Sequence, residues 1–266
     1  MAELIGEKGL DLTRYRLKQY RSTRHPLFPF ESLGPAWDIC RISDDFVGPT
    51  ITATYNGWTV GNGGGASAAS PVVSAGKVNG QIIFVTGTAG DNTASSTLKS
   101  GRHFYGQNNA IITVRLAITT AITSVKVEIG FSDAITTTAA AHAVVDAKAT
   151  PTFIATDGVV WVLDTNDNSN WEGVAVANGV AATTVEAGIA PTLDTFEYLQ
   201  VALLDGVAYY SRFNADGKRT YGPVAQAAAV TPTVLLAPHV TIEARNATSK
   251  GLYVDAIWVY QGRTTA

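Results

Sequence analysis

Residues 196–219 read FEYLQVALLDGVAYYSRFNADGKR. Apolar, β-rich runs lie on both sides of Asp205-Gly206, and a second turn follows at Asn214-Ala215-Asp216-Gly217. An Asp-Gly step between such runs marks a tight hairpin, because glycine takes the positive φ that the turn requires. The stretch therefore reverses direction twice as antiparallel β-structure.

Segments of the same kind lie on either side. TITATYNGWTV (50–60) alternates along its length, and QIIFVTG (81–87) is a short buried run. AIITVRLAIT (110–119) and ITSVKVEIGFS (122–132) read as a hairpin around Thr120-Ala121, and GVVWVLDT (158–165) as another buried strand. VLLAPHVTIEARN (234–246) and GLYVDAIWVYQG (251–262) read as a closing hairpin across Ala247–Lys250. Turns recur about every 8–12 residues, which predicts an all-β, two-sheet antiparallel sandwich of roughly ten to thirteen strands over residues 36–266. DAITTTAAAHAVVDAKA (133–149) is open between a short helix and a loop, and NGGGASAASP (62–71) reads as a loop. No repeat and no break in composition divides 36–266.

Residues 1–35 differ. They hold Lys8, Arg14, Arg16, Lys18, Arg21 and Arg24 against four carboxylates, a net +2, in a chain whose total is −3, so the remainder carries −5. Pro26, Pro29 and Pro35 forbid continued helix. The expectation is an N-terminal docking arm with Arg14, Arg16, Lys18, Arg21 and Arg24 as cations and Tyr15, Tyr20, Phe28 and Phe30 as anchors. Nucleic acid is not the expected partner, because six cations on an acidic chain are few. A membrane is not expected either, since the apolar positions form no continuous face. Residues 1–30 carry no apolar run of the secretory type. One cysteine, Cys40, excludes an internal disulfide.

Charged residues make up 15% of the chain, below the ~25% of an average soluble domain. Few of them are arranged for chemistry. His25, His103, His142 and His239 lie at no local zinc spacing, and no GxSxG elbow is present. Gly61-Asn62-Gly63-Gly64-Gly65 lacks the Lys-Ser/Thr of a phosphate loop. Glu128, Glu186, Glu197, Glu243 and Asp255 stand singly among apolar residues, whereas glycoside hydrolysis needs two carboxylates ~5–9.5 Å apart. The run from Asp164 to Asn170 has oxygen side chains suited to calcium. It reads first as a polar turn with side-chain-to-backbone hydrogen bonds. No catalytic residue, metal ligand or cofactor is assigned. Trp58, Trp171 and Tyr210 are the rings proposed for a sugar-binding platform, while Trp161 and Trp258 are read as core.

ISDDFVG (42–48), Trp58, VVWVLDT…NW (159–171) and LAPHVTIEARNATSKGLYVDAIWVYQGR (236–263) resemble virion proteins of tailed bacteriophages with a concanavalin A-like jelly roll, of the lectin or laminin-G type. The resemblance spans about residues 40–263. It implies a non-enzymatic structural protein located in the virion and assembled in the host cytoplasm. The favoured role is a capsid decoration or minor head protein, bound to the major capsid protein as a homo-oligomer, for example a trimer. A carbohydrate-binding tail adhesin, recognising a host-surface glycan, is the second reading. A polysaccharide hydrolase is the third.

Overall fold

The computed structural model describes residues 39–46, 54–55, 57–63, 69–74, 80–88, 94–134, 144–147, 152–182, 184–204 and 206–262. Within them lie twenty strands, numbered β1 to β20 in chain order. One sheet of eight runs β18 (Arg219–Gln226), β17 (Val207–Asn214), β16 (Glu197–Leu204), β8 (Ile111–Thr119), β20 (Gly251–Gly262), β5 (Ile82–Val85), β4 (Ala69–Val73), with β1 (Ile39–Asp44) also on β20. A sheet of ten runs β14 (Val180–Ala181), β13 (Asn168–Ala177), β12 (Gly158–Asp164), β9 (Val125–Ser132), β19 (Leu235–Ala244), β6 (Ser95–Ser100), β3 (Trp58–Gly63), β2 (Thr54–Tyr55). To it are added β15 (Val185–Glu186) on β13 and β7 (Phe104–Tyr105) on β19. A small third sheet pairs β10 (Val145–Ala147) with β11 (Thr152–Phe153). The pairs within these sheets are antiparallel, and the predicted two-sheet sandwich is the fold observed.

Alternation builds the core. Ile112, Val114, Leu116 and Ile118 of β8 meet Val125, Val127, Ile129 and Phe131 of β9 between the sheets. Every second residue of a strand faces one way, so one register fixes which half of each strand is dry. The hairpin that joins β16 to β17 forms as expected, with Leu204 opposite Val207 and Gly206 at φ 77°. The next turn closes through Gly217 N–H donating to Asn214 O at 2.9 Å.

Two expected hairpins are not hairpins. β8 pairs with β16 and β20, whereas β9 pairs with β12 and β19 in the other sheet. The chain crosses the sandwich at 120–124. It crosses again at 245–250, since β19 belongs to the ten-stranded sheet and β20 to the eight-stranded one. A polar turn between apolar strands looks alike whether the second strand hydrogen-bonds to the first or packs face to face with it. The stretch 50–60 is not one strand: it reverses at Gly57, φ 82°, into β2 and β3. The Asn-Gly step at 56–57 carries that signal. Within 133–149, a strand occupies 145–147.

Gly173 of β13 sits under the Tyr210 ring: a Cβ there would lie 2.7 Å from it. That ring is held edge-on against Trp161 at 5.2 Å. Gly173→Ala is expected to cost about 1–3 kcal/mol by overpacking, seen as a lower urea midpoint at unchanged m-value. A variant as stable as the parent would contradict this packing.

Candidate functional site

The arm residues Arg14, Tyr15, Arg16, Lys18, Tyr20, Arg21, Arg24, Phe28 and Phe30 lie outside the described residues. The three proposed sugar-platform rings do not form a platform. Trp58, Trp171 and Tyr210 are fully buried in the intersheet core. Trp171 Nε1 donates to Glu197 Oε1 at 3.0 Å, and the Tyr210 hydroxyl donates to Gln226 Oε1 at 2.7 Å. Burial pushes the Tyr210 phenol well above its ordinary pKa. A ring with no solvent-facing side cannot stack on a sugar. For Tyr209-Tyr210 alternation requires opposite directions, and the pairing of Tyr210 with Val201 sends Tyr210 inward and Tyr209 outward. Of the two tryptophans read as core, Trp161 is core, whereas Trp258 is half-buried and faces out of the eight-stranded sheet.

The densest set of ionisable groups lies on the outer face of the ten-stranded sheet. Lys126 and Glu128 of β9, His239 and Glu243 of β19, Asp164 at the end of β12 and Arg245 just after β19 are all buried there. Lys126 Nζ sits 2.9 Å from Glu128 Oε1 and 3.5 Å from Glu243 Oε2. Arg245 Nη2 is 3.0 Å from Asp164 Oδ2, and its Nη1 is 3.4 Å from Glu243 Oε1. Val144 and Val145 donate their backbone N–H groups to the two Glu128 oxygens at 2.8 and 3.2 Å. Lys126 Nζ donates back to Val145 O. Val144, Val145 and Ala155 then pack on Val160, Val162, Val174 and Val176, so the segment around β10 and β11 roofs this part of the sheet.

These groups perform no visible chemistry and a clear structural task. Burial alone would raise the Glu128 pKa, but the Lys126 ammonium and His239 outweigh it and bring the carboxyl down to about 2. Burial would lower Lys126, and Glu128 and Glu243 outweigh it in the same way. A carboxylate held ionised under a roof, with both oxygens occupied, reaches no substrate. Its role is to pin the roof to the sheet. Sequence reading saw Glu128 and Glu243 as isolated. The overlooked signal is the opposite charge two residues away on each strand, Lys126 and Arg245, on the face that alternation leaves outside.

Glu197 and Asp255 are similarly committed. Glu197 accepts from Arg212 Nε, whose Nη1 donates to Ile189 O at 2.7 Å. Burial raises the Glu197 pKa despite Arg212 and Trp171. Asp255 pairs with Arg115 at 2.6 Å. In the oxygen-rich run, Asp164 Oδ1 caps Asn166 N at 3.2 Å and Asn168 Oδ1 caps Asn170 N at 2.9 Å, which is a polar turn between β12 and β13. Among the described residues no group of three or more His, Cys, Asp or Glu is placed to hold a metal ion. A groove of about 570 Å³ opens between the sheet edges, lined by Ala177, Val180, Ala182, Val185 and Ala225 with Gln226. Among its described lining residues none is acidic or basic, and Thr184 and Gln226 supply its polar side chains.

Comparison with solved structures places this arrangement. A protein of unknown function from Shewanella oneidensis MR-1 superposes with a TM-score of 0.61 at 15% identity, over 98% of each chain. Peanut lectin does so with 0.57 at 11% identity, over 86% of this chain and 99% of its own. A β-1,3-glucanase from Mycobacterium marinum gives 0.54 at 12% identity, over 82% and 97%. The fold is a concanavalin A-like jelly roll. At these identities the likeness is one of fold, and it joins binding proteins and hydrolases alike. No protein-family model matches the sequence, and no curated protein does.

Glu128→Ala removes the nearest counter-ion of a buried ammonium and leaves two N–H groups unpaired, with an expected cost of about 3–5 kcal/mol. Lys126→Met combined with Glu128→Met is expected to cost less than the single change, and chemical denaturation of the three proteins measures both. Glu128 titrates at 4.5 when unperturbed and at about 2 when folded. Its contribution is therefore complete above pH 4.5 and lost as pH falls toward 2. Glu128→Gln should flatten that part of the stability–pH curve, and an unchanged slope would contradict the assignment.

Proposed function

We propose that this chain is a non-catalytic structural protein of a tailed-phage particle, a capsid decoration or minor head protein that binds and stabilises the outer shell. The observation that supports the non-catalytic part is the state of the carboxylates. Glu128, Glu243, Asp164 and Glu197 are buried in ion pairs, so no two of them stand open across a sugar bond. The carbohydrate-adhesin alternative loses its platform, because Trp58, Trp171 and Tyr210 are interior.

The virion part of the reading rests on the sequence resemblance over about residues 40–263 and on the charge asymmetry. A net-positive, ring-bearing arm on a net-negative chain suits an acidic neighbouring protein, and the major capsid protein is the partner proposed. Internal pressure separates capsomers at their junctions, and a clamp there adds buried apolar area at roughly 2.5 kcal/mol per 100 Å² before association costs. Repetition over a closed shell multiplies a modest contact, for which a homotrimer at threefold positions is suited.

Co-sedimentation with purified shells of the phage that encodes the chain tests this. The full chain is expected to pellet with the shells, and a chain lacking residues 1–35 to remain in solution. Failure of both to pellet sinks the decoration role. Binding on a glycan array would then support the adhesin, and turnover of a polysaccharide would support the hydrolase.

A further inference from the structure

The roof over the ten-stranded sheet is joined to the sandwich by other means than the strands beneath it. β10 and β11 pair with each other, Val145 opposite Phe153 and Ala147 opposite Thr152, in a sheet of their own. Among the described residues no ladder connects them to either main sheet. Their seat is made from contacts with side chains of the sheet. Val144, Val145 and Ala155 rest on Val160, Val162, Val174 and Val176. The amides of Val144 and Val145 donate to Glu128, and Lys126 Nζ donates to Val145 O. A two-stranded ribbon by itself is marginal in water, so this one keeps its shape through its seat.

We propose that the roof is a lid, which lifts off the outer face of the ten-stranded sheet as one unit while the sandwich beneath stays folded. The charges permit this. The ion pairs that run from Glu128 through Lys126, Glu243 and Arg245 to Asp164 join β9, β19, the residue just after β19 and the end of β12, all parts of the sandwich. They stay together when the roof leaves. Opening breaks the Glu128 bonds to Val144 and Val145 and the Lys126 bond to Val145 O, and water replaces them at charges whose desolvation was costly. The four valines gain nothing from water and draw the roof back. One half of the seat therefore favours opening and the other half closing.

The chain is fixed where a lid needs its hinge. Thr156 N–H donates to Asp133 Oδ1 at 3.1 Å, and Asp133 N–H donates to Asp157 O at 2.9 Å, so the chain that leaves β9 is tied to the chain that enters β12. Asp157 Oδ1 also accepts from Thr231 N–H at 2.6 Å and from Asn178 N–H at 3.3 Å, which anchors the tie to two further connections. Gly158 follows at the start of β12. A Cβ there would lie 2.7 Å from Val144 Cγ2, so the glycine lets the closed roof come down onto the strand. The lid uncovers a strip of four valine side chains beside the charged row, with Val162 opposite Glu128. It stands apart from the particle reading.

Native-state hydrogen exchange of the full-length chain, followed by NMR at urea concentrations below unfolding, tests this. Val144 and Val145 donate to Glu128, and Ile154 donates to Val144 O at 3.1 Å, a bond that the ribbon does not hold once off its seat. These three amides are expected to share one opening, at least ~10-fold more populated than the one that exposes Val160 and Val162 of β12, and with a shallower urea dependence. Glu128→Gln, which leaves one of the two amides without its acceptor, is expected to raise that opening by a further ~10-fold. If the three amides exchange together with β12 at every urea concentration, the roof belongs to the sandwich's single cooperative unit and the lid is refuted. Three unrelated isotherms would mean fraying of single bonds and refute it equally, as would an opening that Glu128→Gln leaves unchanged.

Discussion

A carboxylate removed from water must be answered by a cation and by hydrogen-bond donors, and in this chain that demand centres on Glu128. Its neighbours come from separate parts of the sequence: Lys126 two residues before it, the amides of Val144 and Val145, and His239 with Nε2 3.9 Å away. Lys126 carries the link on to Glu243, and Arg245 carries it from Glu243 to Asp164. One buried network therefore ties β9, β12 and β19 together and fastens the 144–147 segment above them. The individual pairs need not add net stability, because desolvation offsets much of the attraction. What they fix is position. An unpaired charge here costs far more than a misplaced methyl, so the roof has one acceptable seat.

That seat decides what the fold can be used for. A two-sheet sandwich offers a ligand its outer faces, its edges and its loops, since the space between the sheets is filled. In the ten-stranded sheet the roof closes the outer face over Val160, Val162, Val174 and Val176. Across the sandwich, Ile111, Thr113, Gln200, Ala202 and Tyr260 are as dry as core residues, whereas Arg115, Leu204 and Trp258 are half-buried. The open groove at the sheet edges is lined mostly by small residues. The same jelly roll occurs in a lectin and a glucanase, and here the outer face of the ten-stranded sheet is spent on holding the roof.

The strands were legible because alternation is a local property. Residues 196–219 announce β16, β17 and their turn without help from the rest of the chain, and Gly206 and Gly217 sit at positive φ as the turns require. Partner choice is not local. The steps at 120–124 and 245–250 look like hairpin turns and instead carry the chain between sheets, because both arrangements need a short polar link between apolar strands. Facing has the same weakness. Tyr209 and Tyr210 had to point opposite ways, but only the pairing of β17 on β16 says which one goes inside. Trp58 and Trp171 followed from that blindness too: a tryptophan beside polar residues looks exposed until the neighbouring sheet is in place.

Charge shows the converse error. Reading Lys126, Glu128, Glu243 and Arg245 one at a time gives four isolated polar residues on apolar strands. Taken at a spacing of two, they are complementary pairs on the face that alternation turns away from the core. Charged residues at that spacing on otherwise apolar strands mean that something covers the second face, since solvent-exposed pairs would not need strands so poor in other polar groups.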